Sequence, residues 1–509
     1  MSIGSHTNAT QDRLPTSEIS TVNKTILSTR DSSNYDYLMI LCLLIMGIIS
    51  ILHGEIIPQN DGLGYDGSIY ADITKNPPDH VFHSKLNSYQ FQRILPPTLI
   101  HYTFTLIGVP LENTNIIKGF QLYSLILLLT TVYLWILIAN ELRIGAKGKW
   151  LGFSGLYMNF AILKFPFYYP VTTDTSAFTL GILLLYCFLK DKRTALLFMT
   201  VLGAFTWPTM IYYGSVLYLF PRKLDSPYPP RDLLGLILAS SITGIVLLGI
   251  VYFYFIEHLR LPGSARPVVE SVVYVSIMIS LAYIFFSLSP LLNYRALYNN
   301  INLHNIINAK RVVIILTVFI SIRIVVFAMS NPGGTPSVFS NTLISAIQRP
   351  FIFGISHVIY YGPIILLTYF FWDRICEIVH RYGIGLTMFA LINVILSLNS
   401  ESRALIASLP FVVAFTTKAM DDVNVKALYY WCFGILSVLY SKWWLNINDN
   451  VLLDISNISW RSVYYMNYGP WMHNLAFITQ GAVVGITGIV MYTFLRKQAS
   501  RDTCKLLAQ

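Results

Sequence analysis

The sequence predicts an all-α polytopic membrane protein, and three observations support this fold class. Of the 509 residues, 54% are hydrophobic and only 12% are charged, whereas soluble domains carry roughly 25% charged residues. Apolar runs of membrane-spanning length recur along the chain. The short segments between them carry Lys and Arg, as the positive-inside rule expects of cytoplasmic loops. These loops account for the net charge of +10, so we expect no nucleic-acid partner.

Both chain ends are expected in the cytoplasm. Residues 1–34 are rich in Ser, Thr and Asn and lack an apolar period, which predicts a disordered tail. The apolar run Tyr37–Ile57 is predicted as a retained first span that carries the chain outward. A basic tail, residues 496–509, follows the last apolar run.

The first outer loop is predicted to be long and helical. The basic segment 141–149 is expected in the cytoplasm, so only one crossing, Ile117–Asn140, returns the chain from the outside. Residues 58–116 therefore form an outer loop. Ile94–Val109 is short for a span and contains a Pro-Pro pair, and we predict that it is a helix on the outer surface.

Basic loops alternate with apolar runs along the rest of the chain, which predicts about twelve crossings in all. The later predicted spans are Trp150–Phe165, Thr175–Leu189, Leu233–Ile256, Val268–Leu291, Val312–Met329, Phe351–Trp372, Gly383–Leu398, Ala404–Thr417, Leu428–Trp444 and Trp471–Leu495. The segment Thr194–Phe220 begins and ends at basic loops but is too short for two full spans. Because Trp207-Pro208 lies at its centre, it is predicted as two half-length helices that face a cavity or protein.

The glycine-rich stretch 60–70 directly follows the first span and contains the best candidates for chemistry. Asp61 and Asp66 lie there, at or just above a membrane surface. Asp before Gly is ordinary turn chemistry, so both carboxylates are also explained as turn residues. Their position favours function, because a carboxylate near a partly dry surface can take a proton from a hydroxyl group.

Several cations lie at the outer ends of predicted spans, where the insertion rule disfavours them. Charges within spans usually serve a pathway or a bound ligand, and an anionic lipid head group is such a ligand. Each cation is also explained by snorkelling to the interface or by pairing with a carboxylate. The candidates for a phosphate site are Lys164, Arg323, Arg349 and Arg403.

Two short polar segments add further candidates. Glu401 lies two residues before Arg403, and these residues are predicted either to pair across a tight turn or to contribute to a site. Asp174 is predicted either as a helix N-cap or as a catalytic acid. Neither the histidines nor the cysteines have metal-ligand spacing, so we assign no metal and no cofactor.

Two motifs in the first two fifths of the chain resemble a known family. The sequence Asp66-Gly-Ser-Ile-Tyr-Ala71 resembles the start of the first outer loop in GT-C membrane glycosyltransferases. Tyr65-Asp-Gly67 and Tyr89-Gln-Phe-Gln-Arg-Ile-Leu-Pro96 are similar to a bacterial GT-C-like group with a tyrosine-aspartate-glycine motif. Gly67 stands where relatives often have a second acid, so the resemblance implies no metal site.

The resemblance implies a GT-C-like module over residues 35–232 and a variable transmembrane module over residues 233–495. The implied activity is transfer of a sugar from a polyprenyl phosphate, such as undecaprenyl phosphate, to an acceptor hydroxyl. By analogy, the acceptor is a glycan or lipid-linked glycan such as a surface polysaccharide or the O-antigen of lipopolysaccharide. The implied location is a bacterial inner membrane, with the active site on its outer side.

The resemblance also implies residue roles. Asp66 would be the general base of an inverting displacement, with Asp61 and Asp174 as further acids. Arg403, Arg323, Arg349 and Lys164 would bind the donor phosphate. The expected substrate contacts are Tyr65, Tyr70, Arg93 and Glu401.

Two alternatives remain open at this point. A polymerase or ligase of lipid-linked polysaccharide is also polytopic, but its long catalytic loop typically comes late in the chain, where residues 445–470 are the candidate. A flippase or transporter is disfavoured because the chain has no internal repeat and its polar residues gather at the outer rim.

Overall fold

The protein is all-α over the residues that its structure, a computed structural model, describes. These are residues 36–83, 86–220, 222, 232–259, 270–295, 297, 309–331, 338–423, 425–448, 469–472 and 474–506. Within them the chain forms helices joined by short turns and no β-strand. The predicted N-terminal tail, residues 1–34, lies outside the described residues.

Among the described residues in the first half of the chain, two long helices flank four short ones, and five further helices follow. Its α-helices are α1 Asp36–His53, α2 Tyr65–Lys75, α3 Pro77–Phe82, α4 Ser88–Phe91, α5 Leu95–Ile107, α6 Asn113–Glu141, α7 Ala146–Tyr157, α8 Phe165–Tyr168, α9 Asp174–Leu189, α10 Arg193–Ala204 and α11 Met210–Leu219. A 3₁₀ turn, Gln59–Gly62, precedes α2, and a π-helical turn, Phe160–Lys164, joins α7 to α8.

The second half of the chain contains both long and short helices. They are α12 Leu233–Ile250, α13 Glu270–Leu291, α14 Ala309–Met329, α15 Val338–Ala346, α16 Ile352–Tyr361, α17 Ile364–Phe370, α18 Trp372–Arg381, α19 Ile384–Leu396, α20 Leu409–Asp421, α21 Ala427–Ser441 and α22 Asn474–Leu506. A π-helical turn, Val251–Ile256, extends α12, and 3₁₀ turns lie at Ser402–Ser408 and Gly469–Trp471. The last helix continues to Leu506, so most of the predicted tail 496–509 is helical.

Seven helices in the described part of the chain are long and apolar enough to cross a membrane. They are Asp36–His53, Asn113–Glu141, Leu233–Ile256, Val272–Leu291, Ala309–Met329, Ser402–Asp421 and Asn474–Arg496. Each overlaps a predicted span, so the prediction of an apolar all-α protein is confirmed in this respect. The other predicted spans correspond to helices of fewer than 18 residues.

Residues 58–116, the predicted first outer loop, are largely helical in their described part, as predicted. Helices α2 to α5 bury Tyr70, Ile73, Phe91 and Ile100 in a small apolar core of their own. Residues of α6, α11 and α14 complete this core. The predicted surface helix 94–109 corresponds to Leu95–Ile107, and Pro96 and Pro97 lie in its first turn, where proline leaves no hydrogen bond unmade.

Two predicted spans are broken in the structure. Phe351–Trp372 divides into α16 and α17 at Gly362-Pro363, because Gly362 has a φ of 82° and Pro363 has no N–H to continue the helix. Trp150–Phe165 is interrupted after α7 at Met158, and Asn159 begins the π-helical turn by accepting a hydrogen bond from the Ile162 N–H.

The segment around Trp207-Pro208 forms two short helices, α10 and α11, that pack against each other. Trp207 is buried in the break, and its Nε1 donates a hydrogen bond of 3.4 Å to the Ala404 carbonyl. The break therefore contacts the turn Ser402–Ser408.

Helix α9 lies at the centre of the fold and positions the site described below. It packs against α6, α10, α20 and the turn Ser402–Ser408, and nearly all of its side chains are buried. Gly181 makes the approach to the turn possible, because a Cβ atom there would lie 2.1 Å from the Ala407 carbonyl oxygen. The first residue of α9 is thereby held beside the first residues of the turn.

Candidate functional site

Helix α2 places Asp66 in its first turn, where the helix dipole favours a carboxylate. The Tyr169 hydroxyl oxygen accepts the backbone N–H of Asp66 at 2.6 Å and that of Gly67 at 3.3 Å. These N–H groups have no partner within the helix, so Tyr169 takes the part of an N-cap. Burial raises the pKa of Tyr169, which keeps its hydroxyl neutral. The start of α2 is thus fixed to the segment after α8.

Gly64 lets Tyr169 come this close. It has a φ of 76° and a ψ of −159°, a conformation that is essentially restricted to glycine. A Cβ atom at this position would lie 2.2 Å from the Tyr169 ring. Gly64, two residues before Asp66, is therefore required both by the backbone conformation and by the packing of the Tyr169 ring.

Arg403 joins two of the predicted acids. Its Nε and one terminal nitrogen each donate a hydrogen bond of 2.9 Å to an oxygen of Asp174, which is the bidentate geometry that guanidinium and carboxylate groups favour. The other terminal nitrogen lies 3.4 Å from an oxygen of Asp66. The Asp174 side chain is 2% exposed and that of Asp66 is 40% exposed. Arg403 thus links a buried carboxylate to an accessible one.

The segment before Arg403 is fixed by buried polar contacts. His357 Nε2 donates to the Ser397 carbonyl at 2.8 Å, so His357 Nδ1 accepts from the Ser402 hydroxyl at 2.9 Å. The Ser400 N–H donates to the Ser345 hydroxyl at 3.1 Å. These bonds hold the polypeptide that presents Glu401 and Arg403.

A second arginine lies between two aromatic rings. The guanidinium carbon of Arg93 is 4.1 Å from the centroid of the Tyr89 ring and 3.8 Å from that of Trp207. One terminal nitrogen donates to the Tyr70 hydroxyl at 3.1 Å, and the buried Nε has no hydrogen-bond partner in the described part of the chain. Arg93 is only 3% exposed and has no carboxylate within ion-pair distance among the described residues. It is a buried cation held rigidly by cation–π contacts.

Both arginines line one cavity of about 270 Å³. Glu401 and Trp207 also line it, together with the polar side chains of Asn341 and Asn399. Its walls combine aromatic and polar groups, a composition typical of sites that bind small polar ligands.

Glu401 is the acid of this cavity wall. Its carboxylate forms no hydrogen bond and no ion pair with any residue that the structure describes, although its backbone N–H donates to Asn399. Burial raises the pKa of Glu401, Arg403 opposes this rise, and the negative charge of Asp66 adds to it. The predicted pairing of Glu401 with Arg403 across a tight turn is therefore wrong, since Arg403 is bound to Asp174 and Asp66.

Of the four cations predicted to bind phosphate, only Arg403 is placed in this site. Lys164 Nζ binds a Glu55 oxygen at 2.8 Å and the Leu445 carbonyl at 2.9 Å. Arg349 donates to Asn474 Oδ1 from two nitrogens, and Arg323 is exposed on α14.

Of the other predicted site residues, some lie in the site and some lie exposed outside it. Asp61 is exposed in the 3₁₀ turn before α2, with a φ of 53°, and Tyr65 is 51% exposed. Tyr70 and Arg93 lie together in the buried part of the site. Asp174 is the first residue of α9 and not its N-cap, which is Thr173, and both of its oxygens bind Arg403.

Three aromatic residues of the site were not selected as site residues from the sequence. Tyr169 caps α2, and Tyr89 and Trp207 enclose Arg93. The spacing of Tyr89 and Arg93, four residues apart, is a local signal for their contact. Nothing in the sequence pattern connects Tyr169 to Asp66 or Trp207 to Arg93.

Comparisons of the chain with protein-family models, with curated proteins and with solved structures give no match.

We predict that Gly64→Ala destabilises the protein by more than Gly108→Ala. The first variant adds a clash with Tyr169 to a backbone strain of roughly 1–3 kcal/mol. Gly108 also has a positive φ, of 71°, but a Cβ atom there meets nothing within 4 Å, so its cost is roughly 1 kcal/mol. Thermal unfolding of both purified variants in detergent measures the difference. Equal shifts would show that the Tyr169 ring is not fixed against α2.

We also predict that Glu55→Gln is strongly destabilising, because it leaves the buried charge of Lys164 without a counter-ion. Removing one partner of a buried pair costs roughly 3–5 kcal/mol. The matched control is Glu377→Gln, which breaks the exposed pair with Arg381 and is expected to cost below about 1 kcal/mol. Unfolding midpoints of the two variants test this, and similar midpoints would contradict a structural role for Lys164.

Proposed function

We propose that this protein is a membrane glycosyltransferase of the GT-C type. It moves a sugar from a polyprenyl phosphate to an acceptor hydroxyl. The observation that carries the proposal is that Arg93 and Arg403 line one cavity while Arg403 also contacts Asp66, although the three residues come from segments far apart in the chain. An accessible acid next to an enclosed cation is the pairing that such a transfer needs, because a proton must be removed while an anion departs.

Asp66 is the proposed general base. One of its oxygens is near Arg403, and the other makes no hydrogen bond to any residue that the structure describes. This second oxygen is available to take the proton of an acceptor hydroxyl. The acceptor oxygen then attacks the anomeric carbon, and the bond from that carbon to the phosphate oxygen breaks. Displacement in one step inverts the anomeric centre.

Arg93 is better suited than Arg403 to receive the departing phosphate. The charge of Arg403 is already compensated by Asp174 and Asp66. Arg93 lines the cavity with no carboxylate within ion-pair distance in the described part of the chain. A fixed cation in an enclosed site stabilises developing negative charge without reorganisation. Arg403 then acts as the positioning residue of Asp66, and Asp174 as that of Arg403.

The proposed membrane arrangement has about twelve crossings plus the half-helix pair α10–α11. The distribution of basic loops supports an outer position for residues 58–116 and the site, and the inner membrane is proposed from the family resemblance. A second, apolar cavity of about 120 Å³ is lined by Leu405 and Leu409, next to the turn that carries Arg403. This cavity is the proposed place for the first isoprene units of the donor.

We predict that Asp66→Asn lowers the rate of sugar transfer about 10²- to 10⁴-fold, because the amide cannot accept a proton. The matched control is Asp72→Asn, an exposed aspartate on the same helix, which is expected to retain the activity of the unmodified protein. The assay uses purified protein and a panel of polyprenyl-phosphate sugars, with normal membrane insertion of both variants confirmed. An Asp66→Asn variant with undiminished transfer would remove Asp66 from the reaction.

A further inference from the structure

Among the described residues that line the cavity, Glu401 has the one carboxyl group, and the transfer reaction does not use it. We propose that Glu401 is a protonatable gate for anion binding, whose carboxyl group must hold a proton for a phosphodiester to bind beside Arg93. Only the identification of the anion as a lipid phosphodiester rests on the proposed function. The gate itself follows from the charges that surround the cavity.

The site contains more acidic than basic side chains. Two cations, Arg93 and Arg403, face three acids, Asp66, Asp174 and Glu401. Arg403 is committed to Asp66 and Asp174 by ion pairs. Glu401 is the only carboxylate among the described residues that line the cavity with Arg93, and the charge of Asp174 also acts on Arg93 from outside the cavity wall. If Glu401 is ionised, an arriving anion adds a second negative charge opposite a single cation.

The groups around Glu401 determine whether its carboxyl group holds a proton. The charged groups that act on it are Arg403, Asp66, Arg93 and Asp174, and Tyr89 faces it as a neutral hydroxyl group, since burial raises the pKa of Tyr89. Burial favours the protonated carboxyl and so does Asp66, whereas the two arginines favour the carboxylate. A phosphodiester in the cavity would add a like charge and favour protonation further. Anion binding is thereby linked to the uptake of one proton.

The geometry explains why Glu401 and an anion compete. Both Glu401 and Arg93 line the 270 Å³ cavity, yet no ion pair joins them among the described contacts. Arg93 is held in place by the Tyr89 and Trp207 rings and by its hydrogen bond to the Tyr70 hydroxyl. The space between the two groups is where an anion binds.

The test measures binding and not sugar transfer. The probe is methyl geranyl phosphate, a diester that keeps one negative charge from pH 5 to 8, whereas a monoester would itself titrate at a pKa of roughly 6. Trp207 and Trp471 line the cavity, so quenching of tryptophan fluorescence in the full-length protein in detergent reports binding. Dimethyl phosphate tests the head group without a tail, and geraniol tests the tail without a charge.

We expect the affinity for methyl geranyl phosphate to fall about tenfold per pH unit above the pKa of Glu401, because one proton is taken up per anion. In Glu401→Gln the affinity should be independent of pH and equal to the highest value of the unmodified protein. Arg93→Gln should lose binding by at least about tenfold at every pH. Stronger binding of methyl geranyl phosphate than of dimethyl phosphate identifies a lipid head group as the ligand.

Titration calorimetry of the unmodified protein in two buffers of different ionisation enthalpy measures the number of protons taken up per anion bound. This measurement needs no variant. The expected value above the pKa of Glu401 is close to one. A pH dependence that persists in Glu401→Gln, or an uptake of zero, overturns the gate even if sugar transfer through Asp66 is established. Conversely, proton-linked binding with an active Asp66→Asn variant would retain the gate and reject the transferase.

Discussion

The buried ion pair of Arg403 with Asp174 is the interaction on which the site depends. The two residues are 229 positions apart and are joined by two hydrogen bonds of 2.9 Å. Either charge alone at this depth would lose several kcal/mol of hydration free energy. Helix α9 and the turn Ser402–Ser408 are therefore held together by charge as well as by packing at Gly181. Removing one partner would expose the other to this cost and separate the elements that carry the site.

Asp66 reaches this ion pair through a second, independent attachment. Tyr169 binds the first amides of α2, and Gly64 allows its ring to lie against the chain. Helix α2 is thus anchored to the segment between α8 and α9, which is the same segment that leads into Asp174. Asp66 of α2 and the buried Asp174 of α9 are consequently positioned by one short stretch of chain. A change in that stretch would alter both contacts of Arg403 together.

Much of the fold can be predicted from the sequence, because apolar length and basic loops depend on local composition. The pair α10–α11 is predictable from Trp207-Pro208. The break between α16 and α17 also has a local signal, Gly362-Pro363, but a prediction based on the length of apolar runs does not detect it. The partners in the buried ion pairs, in contrast, cannot be predicted from local composition. Lys164 and Arg403 are both cations beside apolar runs, but Lys164 pairs with Glu55 and Arg403 with Asp174. Which carboxylate each one meets depends on which helices are neighbours, and no local pattern contains that information.

The unequal contacts of Arg403 explain how one arginine can serve two acids. Its bonds to Asp174 are short and bidentate, whereas the contact with Asp66 is a single one of 3.4 Å. A tight pair with Asp66 would immobilise both oxygens of the proposed base and leave none for an acceptor. With Asp174 taking most of the guanidinium, Asp66 is oriented but keeps an accessible oxygen. The buried Asp174 is therefore needed for the exposed Asp66 to remain available. In the proposed reaction this leaves Arg93 as the cation for the phosphate.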